Sequence, residues 1–290
     1  MLLKKALAPA TQRAYERAWA RLTQFGLDHS LAIVLPVSVD TIILFVTSLY
    51  NEGLPASSIA SMLSAVSYFH KLNNTTDPTR DFAVSQMMVT IRRERPSLDT
   101  RQPVTKQLLL SLVQKLPDIC TSYYENCLFE AMFLTAFSFG LRIGEYTADR
   151  AGHNLKFEQI ELGTDSVTLK FQSFKHSSLE PVSHTIQANN TPYCPVKSLA
   201  EYVAVRGVVP GPLFQEKSKP VSSRRFSEIF RRALILTGEN PKHFSPHSLR
   251  IGAASYWASL GYSDVQMKKL GRWKSDANDK YVRSAIVHKF

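Results

Sequence analysis

The 290-residue chain carries 35 Lys and Arg against 24 Asp and Glu, a formal charge of +11 that predicts a polyanionic partner or an anionic membrane surface. Its hydrophobic content of 44% excludes a disordered chain, and no apolar run approaches the roughly 20 residues that a membrane-spanning helix needs. Three cysteines without a C-x-x-C pair favour reduced thiols over a metal site.

The first 95 residues are predicted to form a helical domain. Apolar side chains recur at three- and four-residue steps in four segments, around 11–26, 40–53, 57–69 and 82–95. Gly26 is interpreted as the end of the first helix. Four amphipathic helices in under 100 residues indicate a compact all-α unit with one shared core.

A linker is predicted at residues 96–104, which have no hydrophobic periodicity and contain Pro96 and Pro103. Arg92 and Arg93 come just before it, at the end of the fourth helix. Two interpretations of this pair are open: a solvated helix end, or contacts to the phosphates of a polyanion.

Residues 105–290 are predicted to form a second domain. Thr105 is a helix N-cap, and Ser122 with Glu125 matches a capping box for a long apolar helix that ends at Gly140. A helix that is apolar on most sides is typical of a domain core. We therefore expect an arginine beside this helix to be partly buried.

The hydrophobic period changes to two between residues 155 and 186, which predicts a small antiparallel sheet with Lys175 near a hairpin turn. Two further helices are predicted at 196–206 and 222–236. The whole chain is therefore expected to be mainly α with a small antiparallel β-sheet, an α+β fold.

The basic excess lies in this second domain, where residues 101–290 carry 25 Lys and Arg against 16 Asp and Glu. It is densest between residues 217 and 250. Three side chains of that segment are predicted to contact the phosphates of a polyanion: Arg224, Arg225 and Lys242.

Three motifs with anion-binding side chains, and after them a tyrosine, follow one another in the second domain. They are Gly140-Leu141-Arg142-Ile143-Gly144-Glu145, His247-x-x-Arg250, Leu270-Gly271-Arg272-Trp273 and a later tyrosine, Tyr281. Ser245 as N-cap and Pro246 as first helical residue place His247 and Arg250 on one helix face, beside the positive end of the helix dipole. Glu145 is expected to orient Arg142, because a partly buried guanidinium needs an anionic partner.

In this order the motifs resemble those of tyrosine recombinases of the phage integrase family, over nearly the whole chain. Within the family, the forms carried by eukaryotic mobile elements such as Cryptons and DIRS-type retroelements are the most similar. The resemblance implies a SAM-like core-binding domain at residues 1–95 and a catalytic domain at 105–290. It also implies double-stranded DNA as the partner, with Arg92, Arg93, Arg224, Arg225 and Lys242 as candidate contacts.

The resemblance further implies a reaction through a 3′-phosphotyrosine, with no metal ion, ATP or other cofactor. Tyr281 would be the nucleophile, Arg142 and Arg250 would stabilise the phosphorane, His247 would be the base, and Lys175 would protonate the leaving 5′-oxygen. Strand exchange would need a homo-oligomer on DNA, from dimer to tetramer.

One position departs from the family pattern. Family members usually have His or Trp nine residues before the nucleophile, whereas that position here is Arg272, with Trp273 one residue nearer. Two readings are open: Arg272 is a third phosphate ligand, which we favour, or the Trp273 indole fills the slot. If neither group reaches the phosphate, cleavage would be weak.

Two other functions therefore remain as alternatives. One is a domesticated DNA-binding protein that has lost cleavage, and the other is a type IB topoisomerase, which uses similar Arg, Lys, His and Tyr chemistry as a monomer. The expected location is intracellular, in the nucleus of a eukaryotic host or otherwise in the nucleoid.

Overall fold

A computed structural model describes residues 7–96, 100–148, 154–171 and 182–273 of the chain. The chain divides into two compact units, Met1–Asp99 and Thr100–Phe290. The predicted α+β class is confirmed: helices predominate, and the strands form small antiparallel sheets. No helix in the described ranges is long and apolar enough to cross a membrane.

Within residues 7–96, the N-terminal unit contains four α-helices, as the hydrophobic periodicity predicts. They are α1 (Pro9–Asp28), α2 (Val39–Asn51), α3 (Ala56–Leu72) and α4 (Phe82–Glu94). Ser38 caps α2 and Asp81 caps α4, each by accepting a backbone N–H of the first helical turn. Apolar residues from all four helices form one buried cluster.

Gly26 does not end α1, contrary to the prediction. The helix continues to Asp28, and a Cβ at position 26 would lie 2.4 Å from Ile33 Cγ1 and 2.8 Å from the Leu31 carbonyl oxygen. Gly26 is therefore required for the close approach of the following loop and not for a left-handed turn.

His70 connects two segments inside the N-terminal unit. It is fully buried on α3, its Nε2 accepts the Val37 N–H at 3.0 Å, and its Nδ1 lies 2.8 Å from the Val66 carbonyl oxygen. The Val37 contact requires a lone pair on Nε2, so the ring proton is on Nδ1 and is donated to Val66.

We expect His70→Leu to lower the free energy of unfolding of this unit by about 1–3 kcal/mol, because the buried Val37 N–H loses its acceptor. Urea denaturation measures the change. His29→Leu is the control, at an exposed position just after α1 where the ring contacts Phe25, and it is expected to change stability by about 1 kcal/mol or less. Equal effects of the two substitutions would contradict the bridging role of His70.

The C-terminal unit is built around one apolar helix. Its helices are α5 (Lys106–Gln114), α6 (Tyr123–Ser138), α7 (Ile143–Tyr146), α8 (Pro195–Arg206), α9 (Ser223–Leu236), α10 (His247–Ser259) and α11 (Asp264–Gly271). Eleven of the 16 residues of α6 are buried, and α8 and α10 pack against it. The long apolar helix that the sequence predicts is therefore present, and it lies at the centre of this unit.

Three strands form one antiparallel sheet in the order β1 (Ile160–Leu162), β2 (Ser166–Phe171), β3 (Val182–Gln187). Alternate residues of β2 are buried, which puts Phe171 on the inner face. The segment Phe157–Gln159, predicted as strand, is a 3₁₀-helix. A further two-stranded ribbon pairs β4 (Gln215–Glu216) with β5 (Lys219–Pro220).

Two predicted caps differ in detail. Ser122 caps α6 by accepting the Glu125 N–H at 3.2 Å, but the Glu125 carboxylate binds the Thr121 N–H at 2.6 Å and does not return to Ser122. Ser245 does not cap α10: Pro246 occupies the N-cap position with helical dihedral angles, and the helix begins one residue later than predicted.

Candidate active site

The turn after α6 positions Arg142. Gly140 has a positive φ of 54°, and a Cβ there would lie 2.5 Å from the Trp257 ring. Glycine satisfies both conditions, because it has no side chain to clash and adopts positive φ without strain. The chain then enters α7 with Arg142 as its N-cap residue.

Glu145 holds Arg142 through two contacts. The Arg142 backbone N–H donates to Glu145 Oε2 at 2.8 Å, and Arg142 Nη1 donates to Oε1 at 3.1 Å. Arg142 Nη2 donates to the backbone carbonyl of Arg272 at 3.2 Å. The Arg142 side chain is 27% exposed, so its guanidinium is both oriented and accessible.

Helix α10 carries the next two candidates, His247 at its first position and Arg250 three residues later. His247 is half-buried, and Arg250 is fully buried. The Arg250 guanidinium donates to the backbone carbonyls of Gly140 and Gly271. It also lies over the Trp273 ring, 4.7 Å from the ring centre. Through its two hydrogen bonds, Arg250 connects the start of α10 to the turn after α6 and to the end of α11.

Arg272 follows α11 in the left-handed conformation. Its Nη2 donates to Glu145 Oε2 at 2.7 Å and to the Gly140 carbonyl at 3.4 Å. Its Nη1 donates to the carbonyls of Phe139 at 3.2 Å and Leu270 at 3.1 Å. With only 1% of its side chain exposed, Arg272 is an internal residue of the C-terminal unit.

This arrangement argues against the favoured sequence-based reading of Arg272 as a third phosphate ligand. The guanidinium is engaged by a buried carboxylate, because a charge inside a protein needs a charged or hydrogen-bonding partner. Trp273, the other candidate for the slot, is 9% exposed and packs edge-on against Trp257 at 6.4 Å. Neither side chain points openly to solvent in this structure.

Glu145 is the carboxylate around which the three guanidinium groups gather. Burial alone would raise its pKa, but the charge of Arg272, the Arg142 N–H and the charges of Arg142 and Arg250 outweigh burial, so the pKa is lowered. Glu145 is therefore ionised at neutral pH. These four side chains carry three positive charges against one negative charge, and the surplus favours an incoming anion.

His184 on β3 is buried close to this cluster. It is 6% exposed, and its ring meets the Phe171 ring edge-on at 5.9 Å, while the Arg272 guanidinium lies 4.1 Å from the centre of that same ring. Burial, and then the positive charges of Arg272 and Lys269, lower the pKa of His184 to about 4. The imidazole is therefore neutral where the neighbouring arginines are charged.

We expect this histidine to weaken the fold in acid. Between pH 6.5 and 4 the unfolded chain binds a proton at His184 that the folded chain does not, so stability falls as the pH falls through that window. From pH 7 to 4.5 the wild type should lose on the order of 2 kcal/mol more than His184→Leu. Denaturant unfolding at both pH values measures this difference, and parallel pH profiles would contradict it.

Two predicted catalytic residues, Lys175 and Tyr281, lie outside the described residues. Their roles remain predictions. Ser275 is a further N-cap candidate in the sequence, for a last helix that would carry Tyr281, and this segment also lies outside the described residues. Within the described residues, the structure thus brings together Arg142, Glu145, Arg250, Arg272 and Trp273, with His247 on the same helix as Arg250.

Four of the five candidate DNA contacts are exposed: Arg92, Arg93, Arg224 and Lys242. Arg225 differs, because it forms ion pairs with Glu125 and Glu216 and its guanidinium lies 5.5 Å from the centre of the Phe129 ring. Its charge is already balanced inside the domain, so the prediction of a phosphate contact by Arg225 is at odds with the structure.

Several partners of the arginines were missed by sequence reasoning. The carbonyls of Phe139, Gly140 and Gly271 carry no side-chain signal, although Gly140 belongs to a recognised motif. Phe171 could have been assigned to the inner face from the alternation in β2. In the part of the chain that the structure describes, no group of three or more His, Cys, Asp or Glu side chains is placed to hold a metal ion.

Comparison with solved structures finds the same fold in DNA recombinases. The Tn1549 transposon integrase in complex with transposon right-end DNA is 12% identical, with a TM-score of 0.69 over 96% of this chain and 90% of that chain. A lambda integrase dimer bound to a COC′ core site is 18% identical, with a TM-score of 0.64 over 96% and 73%. The XerH recombinase bound to a palindromic difH substrate is 13% identical, with a TM-score of 0.67 over 93% and 75%.

Sequence comparisons assign the family. No curated protein sequence matches the chain. The model of the phage integrase N-terminal SAM-like domain matches residues 1–73, and the phage integrase family model matches residues 104–285, which is more than half of the chain. The protein therefore belongs to the phage integrase family, the tyrosine recombinases.

Proposed function

We propose that the protein is a site-specific recombinase that breaks and rejoins duplex DNA through a covalent 3′-phosphotyrosine. The observation that carries the proposal is the cluster of three arginines around one carboxylate: Arg142 and Arg272 bind Glu145, and the charge of Arg250 is close enough to help lower the pKa of that carboxyl. A phosphodiester is the anion whose reaction needs such a surplus of fixed positive charge.

The reaction conserves the energy of the phosphodiester bond. The Tyr281 oxygen attacks phosphorus, the bond from phosphorus to the 5′-oxygen breaks, and a phosphotyrosine and a free 5′-hydroxyl result. A 5′-hydroxyl from a second DNA end then attacks the phosphotyrosine and releases Tyr281. Each phosphorus–oxygen bond broken is replaced by one formed, so no ATP is consumed.

Charge grows on the non-bridging oxygens as the five-coordinate phosphorane forms. Arg142 suits this charge because Glu145 fixes its direction while part of the guanidinium stays accessible. Arg250 lies three residues from His247 at the N-terminal end of α10, where the helix dipole adds positive potential. This position also favours stabilisation of the growing negative charge. Both guanidinium groups are preorganised before DNA arrives.

Two proton transfers complete the step. Tyrosine has an ordinary pKa of about 10, so its proton must go to a base as the oxygen attacks, and His247 is the candidate. The leaving 5′-oxygen takes a proton from Lys175, which the sequence places near a hairpin turn. His247 then returns its proton to Tyr281 in the rejoining step.

The DNA is proposed to contact both units. Arg92 and Arg93 at the end of α4, and Arg224 and Lys242 in the catalytic domain, are exposed cations that can bind phosphates. The core-binding domain would comprise residues 1–95 and the catalytic domain residues 105–290. The DNA-bound relatives, one of them described as a dimer, support double-stranded DNA as partner and a dimer or tetramer as the active form.

The finer origin is also a proposal. The general phrasing of the ordered motifs is the basis for placing the chain near the recombinases of Cryptons and DIRS-type retroelements. In that case the protein would act in a eukaryotic nucleus. Finding the coding sequence between the ends of a mobile element in a eukaryotic genome would support this origin, and a bacterial chromosomal locus would contradict it.

Trapping of the covalent intermediate tests the function. The protein is incubated with duplexes taken from the ends of its own element, nicked beside the candidate cleavage site so that the 5′ fragment diffuses away. We expect an adduct that resists denaturant and survives excess EDTA, because guanidinium groups stabilise the phosphorane. Binding without an adduct would favour the domesticated DNA-binding protein, and relaxation of supercoils by a monomer would favour the type IB topoisomerase.

A further inference from the structure

Arg272 occupies the position that in related recombinases precedes the nucleophile by nine residues, yet its contacts are internal. Both terminal nitrogens of its guanidinium are engaged, Nη1 by two carbonyls and Nη2 by one carbonyl and Glu145. One face of the guanidinium lies on the Phe171 ring. A phosphate that bound the terminal nitrogens of Arg272 would have to displace one of these acceptors, of which Glu145 at 2.7 Å is the nearest. The remaining donor, Nε, has no hydrogen-bond partner but is buried inside the unit.

The same contacts connect Arg272 to both predicted phosphate ligands. The Gly140 carbonyl accepts from Arg250 and from Arg272, so the two guanidinium groups share one oxygen. The Arg272 carbonyl accepts from Arg142 Nη2 at 3.2 Å. Glu145 binds Arg142 with one carboxylate oxygen and Arg272 with the other.

We propose, on the basis of the cleavage activity proposed above, that Arg272 is a positioning residue and not a phosphate ligand. It fixes the Glu145 carboxylate and the Gly140 carbonyl, and through them it sets the directions of Arg142 and Arg250. The phosphate is then bound by Arg142, whose guanidinium is accessible, and by Arg250, which is as buried as Arg272 but whose terminal nitrogens donate to two neutral carbonyls. In this chain the residue nine positions before the nucleophile therefore supports the active site from inside the domain and does not bind the phosphate.

A double-mutant cycle on the cleavage step tests the proposal. Single-turnover adduct formation is measured at saturating DNA for the wild type, Arg272→Gln, Glu145→Gln and the double variant, at a temperature where melting curves show all four folded. We expect Arg272→Gln to slow cleavage about a hundredfold and to change DNA affinity by less than about threefold. The double variant should be no more than about threefold slower than the slower single variant, because both residues act through the same contacts.

A matched cycle pairs Arg272→Gln with His247→Gln. His247 acts by proton transfer, so the two losses are expected to multiply. Multiplying losses in the Glu145 cycle would instead show that Arg272 acts independently, as a phosphate ligand would. An unchanged cleavage rate in Arg272→Gln, with a lowered melting temperature, would leave it a purely structural residue. Either result would overturn the proposal.

A second measurement does not depend on cleavage. In Tyr281→Phe protein with ¹⁵N-labelled arginine, the Arg272 side-chain signals are assigned by their loss in Arg272→Gln and followed as duplex DNA is added. We expect them to keep their slow hydrogen exchange and to shift less than those of Arg142. Large shifts at Arg272 with faster exchange would overturn the positioning role, even if the wild type formed no adduct and the recombinase proposal failed.

Discussion

Tyr281→Phe is expected to abolish the covalent protein–DNA adduct and to leave DNA affinity within about twofold of the wild type. The substitution removes the one oxygen that attacks phosphorus and leaves every cationic side chain in place. Adduct formation is read on denaturing gels, and affinity is read by fluorescence anisotropy with the same duplex.

Two other tyrosines serve as matched controls. Tyr262 is 40% exposed in the turn between α10 and α11, and Tyr256 packs against Phe137 with ring centres 5.9 Å apart. Tyr262→Phe and Tyr256→Phe should both keep the adduct. If Tyr281→Phe still formed the adduct and Tyr262→Phe did not, the nucleophile would be Tyr262.

The second large effect is expected for Arg142→Lys, which should slow cleavage about a hundredfold, equivalent to ~3 kcal/mol of transition-state stabilisation. Lysine keeps the charge but has no planar fork, so it cannot bind Glu145, the Arg272 carbonyl and a phosphate oxygen together. The single-turnover rate at saturating DNA measures the loss, and DNA affinity should change little.

Arg80→Lys is the control for this substitution, since Arg80 is an exposed side chain that pairs with Asp77 at 3.7 Å on the N-terminal unit. It should cleave at the wild-type rate. A wild-type rate for Arg142→Lys as well would show that charge alone suffices, and it would remove the oriented guanidinium from the mechanism.

Much of the fold was predictable because helix starts depend on local chemistry. Thr105 caps the helix that the sequence assigns to it, and Ser38 and Ser263 cap α2 and α11 by the same local chemistry. Gly26 was misjudged for a non-local reason, since its small size serves the loop around Ile33. The segment Phe157–Gln159 was assigned to a strand because apolar alternation over a few residues does not separate a strand from a 3₁₀-turn.

The sequence identifies most residues of the site, but it does not show which carboxylates and carbonyls their side chains bind. The spacing of His247 and Arg250 and the pairing of Arg142 with Glu145 are local, so the sequence indicates them. Two of the carboxylates, Glu125 beside Arg225 and Glu145 beside Arg272, lie 100 and 127 residues away, and no pattern in a single sequence pairs them. Both arginines were therefore assigned to DNA when they are bound to internal carboxylates.

The ion pair between Arg272 and Glu145 also determines how late in synthesis the arginine cluster can form. A ribosome must add 127 residues after Glu145 before the partner exists, and further residues before that partner leaves the exit tunnel. Until then, Glu145 lacks the shorter of its two described ion pairs, and the carbonyl that Arg272 provides to Arg142 is also missing. Incomplete chains that end before Arg272 therefore cannot form the arrangement of arginines described above.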